Sequence, residues 1–278
     1  MRTARSAWGD AGVFRPRELG LPSRADGPWR FDPVVDVPDT VLEAGRVGTL
    51  EVRAASTRGA AHRCRGEVRQ DAVGVTELGG RYVLAAVADG VGDASHAHRG
   101  AQLAVRHALG YLAWSLPGEE LDAVDMVGAL KAADRAVRDA GPTPECRSTT
   151  LTVAAVELGW AGHGHRYRAV RVGDSPALVL KNGAFTPLFS GRESVADCLP
   201  SPRSQPEAVR GVLRPGQALV LTSAGIGAPV RDTPVGTYLA QAWAEPPGPV
   251  TYLQQLQFDL RSFDDDRTAV VVWAVVDS

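Results

Sequence analysis

The sequence predicts an α+β protein in which helices cover antiparallel sheets. Strand-like segments come in runs and do not alternate singly with helices, which argues against a doubly wound parallel sheet. Two segments with apolar residues at three- and four-residue spacing separate those runs, two shorter ones follow, and a last strand closes the chain. At about 150 residues per domain, 278 residues make roughly two domains or one large one. With 44% hydrophobic and 22% charged residues, there is material for a sizeable core.

Residues 1–45, rich in Pro, Gly, Arg and Asp, read as an extension, with Trp29 and Phe31 expected to pack against a domain over 46–278. VGTLEVRAAS at 47–56 alternates as a half-buried strand does. DAVGV at 71–75 and RYVLAAVADG at 81–90 read as paired strands, with ELGG at 77–80 as turn chemistry between them. GAQLAVRHALGYLAW at 100–114 predicts a helix facing inward through Leu103, His107, Tyr111 and Trp114. LDAVDMVGALKAADRAVRDAG at 121–141 predicts another, facing inward through Val124, Val127, Leu130, Ala133 and Val137 and stopped by Gly141-Pro142. Strands are expected at 148–158, 167–174, 176–183 and 184–188, a loop or flap over 190–215, and strands again at 217–225 and 264–276.

Composition excludes several function classes. Thirty Lys+Arg against 32 Asp+Glu leave a net charge of −2, so no global basic field would draw nucleic acid or an anionic membrane. Cys64, Cys146 and Cys198 form no CxxC pair, which argues against a disulfide framework or a zinc site. No window reaches the roughly 20 apolar residues of a membrane helix, and the N-terminus lacks a continuous apolar stretch of the secretory kind. A soluble, cytoplasmic protein is expected.

The chemistry lies in the aspartates. Asp71 begins a strand, Asp89 and Asp174 end two others, and Asp264, Asp265 and Asp266 precede the last one. An aspartate beside glycine at a strand end is ordinarily a turn residue. If several such ends converge, however, their carboxylates repel unless a divalent cation sits among them, and hard oxygen donors suit Mg²⁺ or Mn²⁺ better than zinc.

QDA at 70–72, VADGVG at 87–92 with SHAHRGAQLA after it, STTL at 148–151, VGDS at 172–175, LTSAG at 221–225 and DDRT at 265–268 resemble, in order, the motifs of the protein phosphatase 2C family. Each motif is weak alone; the series is specific, and it spans residues 47–276. The resemblance implies a four-layer α-β-β-α sandwich of two antiparallel sheets flanked by helix pairs. It implies a bacterial-type, metal-dependent enzyme that hydrolyses phosphoserine and phosphothreonine in proteins, opposing a cognate Ser/Thr kinase. By the same resemblance two Mn²⁺ or Mg²⁺ ions are bridged by Asp89, the second is bound by the Gly90 carbonyl, and the first by Asp265. Asp71 acts through metal-bound water, and Asp174 helps hold a third, weaker ion. Paired cations would lower the pKa of the attacking water and clamp the phosphoryl oxygens.

The chain departs from the family's pattern at three places. Ala224 stands where the family has an aspartate that binds metal. Either an engineered change has silenced a phosphatase, or the protein is a natural pseudophosphatase that binds a phosphoprotein or kinase without turnover. A third reading, a small phosphorylated metabolite as substrate, is weaker. Gly66 stands where many relatives carry a phosphate-binding arginine, leaving Arg65 and Arg69 as candidates for that contact. Val91 replaces the histidine of the eukaryotic motif. His62, His96 and His98 lie nearby in sequence as alternative proton donors, though for each a plain surface histidine is the ordinary reading.

Overall fold

The computed structural model describes residues 37–91, 94–141, 143–159, 164–190, 197–201 and 205–276. The expectation for Trp29 and Phe31 lies outside them. The chain builds two antiparallel sheets. The first contains β1 (Thr40–Val47), β2 (Leu50–Thr57), β7 (Ala177–Lys181), β8 (Ala184–Pro187), β10 (Ala218–Thr222) and β11 (Arg267–Ala274), in the order β1-β2-β11-β10-β7-β8. The second runs β3-β4-β5-β6-β9, from β3 (Ala72–Leu78), β4 (Tyr82–Ala88), β5 (Leu151–Glu157), β6 (His165–Val172) and β9 (Glu207–Leu213).

Three apolar clusters fill the three spaces between four layers. One lies between the sheets, around Val83, Val87, Leu219, Leu221 and Val270. A second lies between the five-stranded sheet and the pair α2 (Ala97–Ser115) and α3 (Met126–Asp139). The third lies under α4 (Ala224–Asp232), α5 (Val235–Ala242) and α6 (Pro249–Leu256), around Trp243, Tyr252 and Trp273. The layered sandwich expected from the sequence is therefore present, with three helices on one side where a pair was expected.

Central strands covered on both faces need no alternation, so β4 (YVLAAVA), β5 and β11 (RTAVVVWA) are buried along their whole lengths. The edge strand β9 alternates exposed and half-covered residues, and it lies within 190–215, whose Ser, Pro and Arg content reads as a loop from sequence. Its pairing with β6, from Arg171↔Glu207 to His165↔Leu213, corrects that reading for its second half.

Other boundaries shift for local reasons. Residues 47–50 form a hairpin turn with Gly48 at φ 56°, so the strand expected over 47–56 begins at Leu50 and is preceded by a strand that was not expected. β1 also crosses the expected boundary between residues 45 and 46. The strand expected over 217–225 stops at Thr222, because α4 starts at Ala224. In α2 the buried face is Ala97, Gly100, Ala101, Ala104, Val105, Ala108 and Leu112, while Trp114 is 80% exposed. Small residues bring this helix close to the sheet, so the face with the largest side chains is not the inner one. In α3, Leu130, Ala133 and Val137 are buried as expected, and Asp125 caps the first turn by accepting from Gly128 N–H at 2.9 Å. Among the described residues no helix is long and apolar enough to cross a membrane.

Candidate metal centre

Five strand ends meet at one end of the sandwich. Asp71 immediately precedes β3, Asp89 follows β4, Asp174 lies two residues after β6, Ser223 and Ala224 follow β10, and Asp265 and Asp266 precede β11. Both sheets therefore contribute. Ala224 N–H donates to Asp89 Oδ2 at 2.9 Å, joining the start of α4 to the end of β4. Thr268 Oγ1 donates to Asp71 Oδ2 at 2.6 Å, joining β11 to the start of β3.

The threonines of the STTL motif hold Asp89 by its backbone. Its N–H donates to Thr150 Oγ1 at 3.1 Å, and its carbonyl accepts from Thr150 N–H at 2.8 Å and Thr149 Oγ1 at 2.9 Å. Gly90 sits where only glycine fits. A Cβ there would lie 2.9 Å from the Gln70 carbonyl oxygen and 2.8 Å from the Ala97 methyl.

The electrostatics are those of crowded anions. Burial, followed by the charges of Asp266 and Asp265, pushes Asp71 up to about 7. Burial pushes Asp89 well above the carboxylate range, with Asp71, Asp265 and Asp174 adding to the rise and Ala224 N–H opposing it. Asp265, whose side chain is 60% exposed, is also raised, by desolvation and by Asp266. Gln70 Oε1, beside Asp71, is buried with no hydrogen-bond partner among the described residues. Carboxylates that resist ionisation together, with oxygen as the only donor type, fit hard divalent cations.

Asp266 differs from its neighbours. It is 1% exposed, and although burial opposes ionisation, its contacts hold its pKa below the usual value. It accepts from His62 Nδ1 at 2.8 Å, from Gly59 N–H at 2.7 Å and from Gln70 N–H at 2.5 Å. His62 is raised in turn: burial lowers it, but the bond to Asp266 and the charges of Asp266 and Asp265 outweigh that. His62, Asp265 and Asp266 have ligand atoms within 4.8 Å of one another, a spacing a metal would accept. Because the Asp266 oxygens are already taken by N–H donors, the pair is better described as a strut that fixes the loops bearing Asp71 and Asp265.

The pairing of His62 with Asp266 is not legible in the sequence, although each residue is named there singly. His62 lies on α1 (Ala60–Arg65), a six-residue helix too short for a periodic signal, and the surface reading fails for it at 3% exposure. That reading suits His96, which is exposed. Arg69 is 4% exposed, and its guanidinium donates to Ser56 Oγ at 2.7 Å, to the Asp71 carbonyl and to the Pro38 carbonyl. It is thus committed beneath the site and not presented to a phosphate, contrary to expectation. Arg65 is half-exposed and pairs with Glu67 at 2.6 Å.

The protein phosphatase 2C profile matches residues 58–260. The chain belongs to the protein phosphatase 2C family. The matched stretch contains Asp71, Asp89, Asp174 and Ala224 and ends five residues before Asp265. No curated protein sequence matches the chain. Among solved structures it is similar to the PPM Ser-Thr phosphatase MsPP of Mycobacterium smegmatis in complex with cacodylate, at 19% identity and TM-score 0.54, covering 84% of this chain and 96% of that one. It is similar to RsbX in complex with magnesium, at 12% identity and TM-score 0.58, covering 84% and 98%. The catalytic domain of the serine threonine protein phosphatase PstP in complex with two manganese ions gives 23% identity and TM-score 0.57, covering 82% and 99%. At these identities the likenesses establish the protein phosphatase 2C fold.

Proposed function

We propose that this domain hydrolyses phosphoserine and phosphothreonine in proteins with the help of two Mn²⁺ or Mg²⁺ ions. The observation that carries the reading is the meeting of Asp71, Asp89, Asp174 and Asp265 at strand ends from both sheets, with Asp71 and Asp89 unable to ionise comfortably together. Asp89 would bridge the two ions, the Gly90 carbonyl would bind the second and Asp265 the first, with Asp174 helping to hold a third, weaker one. Bound cations supply Lewis-acid activation of water and neutralise phosphoryl oxygens.

The chain's own residues do the placing. Thr149 and Thr150 fix the Asp89 backbone, Thr268 orients Asp71, and the His62–Asp266 strut holds the flanking loops. Asp71 would act beside the ions through metal-bound water. Arg65 is the more exposed of the two arginines considered for phosphate contact. The substrate is read as a protein phosphorylated by a cognate Ser/Thr kinase in a bacterial cytoplasm.

Ala224 favours a second reading. Its methyl stands at the metal centre with no donor atom, and loss of even an outer partner of a metal site costs about 10–100-fold in affinity or activity. On that reading the fold binds a phosphoprotein or kinase without turnover. Mn²⁺-dependent hydrolysis of a phosphothreonine peptide by this chain and by its Ala224→Asp variant separates the two. Turnover by the variant, abolished by excess EDTA, supports the phosphatase; silence from both supports the binding protein. Turnover that persists in EDTA would defeat the metal mechanism.

A further inference from the structure

A cavity of about 540 Å³ opens between the start of β3 and the N-terminal half of α2, lined by Ala72, Val73, Arg99, Gln102 and Arg106 among others. Its near end adjoins the metal centre. Ala72 follows Asp71 in sequence, and Arg99 lies two residues beyond Ala97, whose methyl a Cβ on Gly90 would touch. α2 can lie this close because β3 carries Gly74, where a Cβ would meet Val105 Cγ1 at 2.6 Å and Leu109 Cδ1 at 2.7 Å.

Three features give the cavity a chemistry. β3 stands at the edge of its sheet, pairing with β4 on one side and with no strand on the other among the described residues. Such an edge offers N–H and C=O groups to an added extended segment. Arg99, Gln102 and Arg106 follow helical spacing and share one face of α2. Arg99 and Arg106 are both exposed, and neither has an ion-pair partner among the described residues. Seven residues of helix separate the two guanidinium stems by about 10 Å. An extended peptide covers that distance in about three to four residues, and its side chains at positions i and i+4 share one face.

We propose that this groove binds an extended acidic segment of the phosphoprotein substrate, laid along β3 with acidic side chains four residues apart, on the face toward α2, meeting Arg99 and Arg106. The origin of the segment rests on the phosphatase reading; the charge recognition does not. Residues 1–36 of the chain carry more arginine than acid, so they make a poor occupant.

The test begins without turnover. A fluorescein-labelled, unphosphorylated peptide with two glutamates four residues apart, and its glutamine counterpart, are titrated with the full chain in EDTA at low ionic strength and followed by anisotropy. The acidic peptide should bind about tenfold more tightly, the scale of two ion pairs at a surface. Arg99→Glu with Arg106→Glu should erase that preference, and Arg99→Gln with Arg106→Gln should remove most of it, with the circular dichroism of both variants matching the parent. Equal binding of the two peptides, a preference that survives charge reversal, or tighter binding of polyuridine than of the acidic peptide would overturn the proposal.

A second arm uses Mn²⁺ and Ala224→Asp. There, kcat/KM for an acidic over a neutral phosphothreonine peptide should favour the acidic one, and the ratio should collapse on charge reversal. Acidic-peptide binding with no hydrolysis of either phosphopeptide would uphold the groove and overturn the phosphatase reading. Hydrolysis with no acidic preference would do the reverse.

Discussion

Asp71 offers a way to test how strongly the proposed centre would gain from a cation. Its pKa rises from an ordinary 3.8 to about 7 through burial and the charges of Asp266 and Asp265. A group raised on folding supports the native state fully below its unfolded pKa, and that support is lost as the pH climbs through the folded pKa. At about 1.36 kcal/mol per unit, the loss from Asp71 is about 1.7 kcal/mol at pH 5 and about 4 kcal/mol at pH 7.5. Metal-free protein should therefore lose about 2.5 kcal/mol of stability between those pH values through this one side chain. His62, also raised, adds loss in the same direction, so the parent alone does not isolate the effect.

Asp71→Asn isolates it, because the amide does not titrate. Urea unfolding in EDTA at both pH values should show the variant's pH slope flatter than the parent's by about 2.5 kcal/mol, or about 5–10 °C in Tm for a domain of this size. Saturating Mn²⁺ should restore the parent at pH 7.5 and do little at pH 5, where the carboxylates hold protons. Parallel slopes for parent and variant would refute the argument that Asp71 is forced to ionise against its neighbours.

Other substitutions probe the rest of the centre. In the Ala224→Asp background, Asp89→Asn should abolish Mn²⁺-dependent phosphopeptide hydrolysis, since Asp89 is the proposed bridge; retained turnover would remove it from that role. Asp266→Asn should cost about 3–5 kcal/mol in urea unfolding, because it leaves buried His62 without its charge partner. The same variant should weaken Mn²⁺ binding by about 10–100-fold by calorimetry, as loss of an outer support does. Gly225→Ala puts a Cβ 1.9 Å from the Asp266 carbonyl oxygen. Thermal unfolding should register an overpacking loss of about 1–3 kcal/mol, accompanied by weaker Mn²⁺ binding.

The sequence carries much of this architecture because its signals are local. A buried strand that stops at Asp-Gly, as at Asp89, or begins after a carboxylate, as at Asp71, can be read from a few residues. The order of such motifs points to the family. What escapes is set by contacts between segments distant in sequence. Asp266 looks like one more loop aspartate until Gly59, His62 and Gln70, about 200 residues earlier, are seen to donate to it. Arg69 looks available for a phosphate until Ser56 and the Pro38 carbonyl take up its guanidinium. The inner face of α2 is misread because close approach selects alanine and glycine, which a search for bulky apolar residues passes over.

The two ends of the sandwich are fastened by different means. At the end remote from the carboxylates, the β1–β2 and β3–β4 hairpins turn back, Gly48 faces Leu158 so closely that a Cβ there would lie 2.9 Å from it, and Arg81 and Arg166 share Glu157. These ties are always present. At the other end, strands of both sheets finish in like-charged side chains whose mutual repulsion His62 and nearby N–H groups ease in part, and which the proposed cations would neutralise from solution. The sandwich thus resembles a clip with a permanent spine and a removable clasp. When the clasp is missing, separation of the sheets should start at the mouth and run toward the hairpins, so that the first part of the fold to loosen is the part that would meet the substrate.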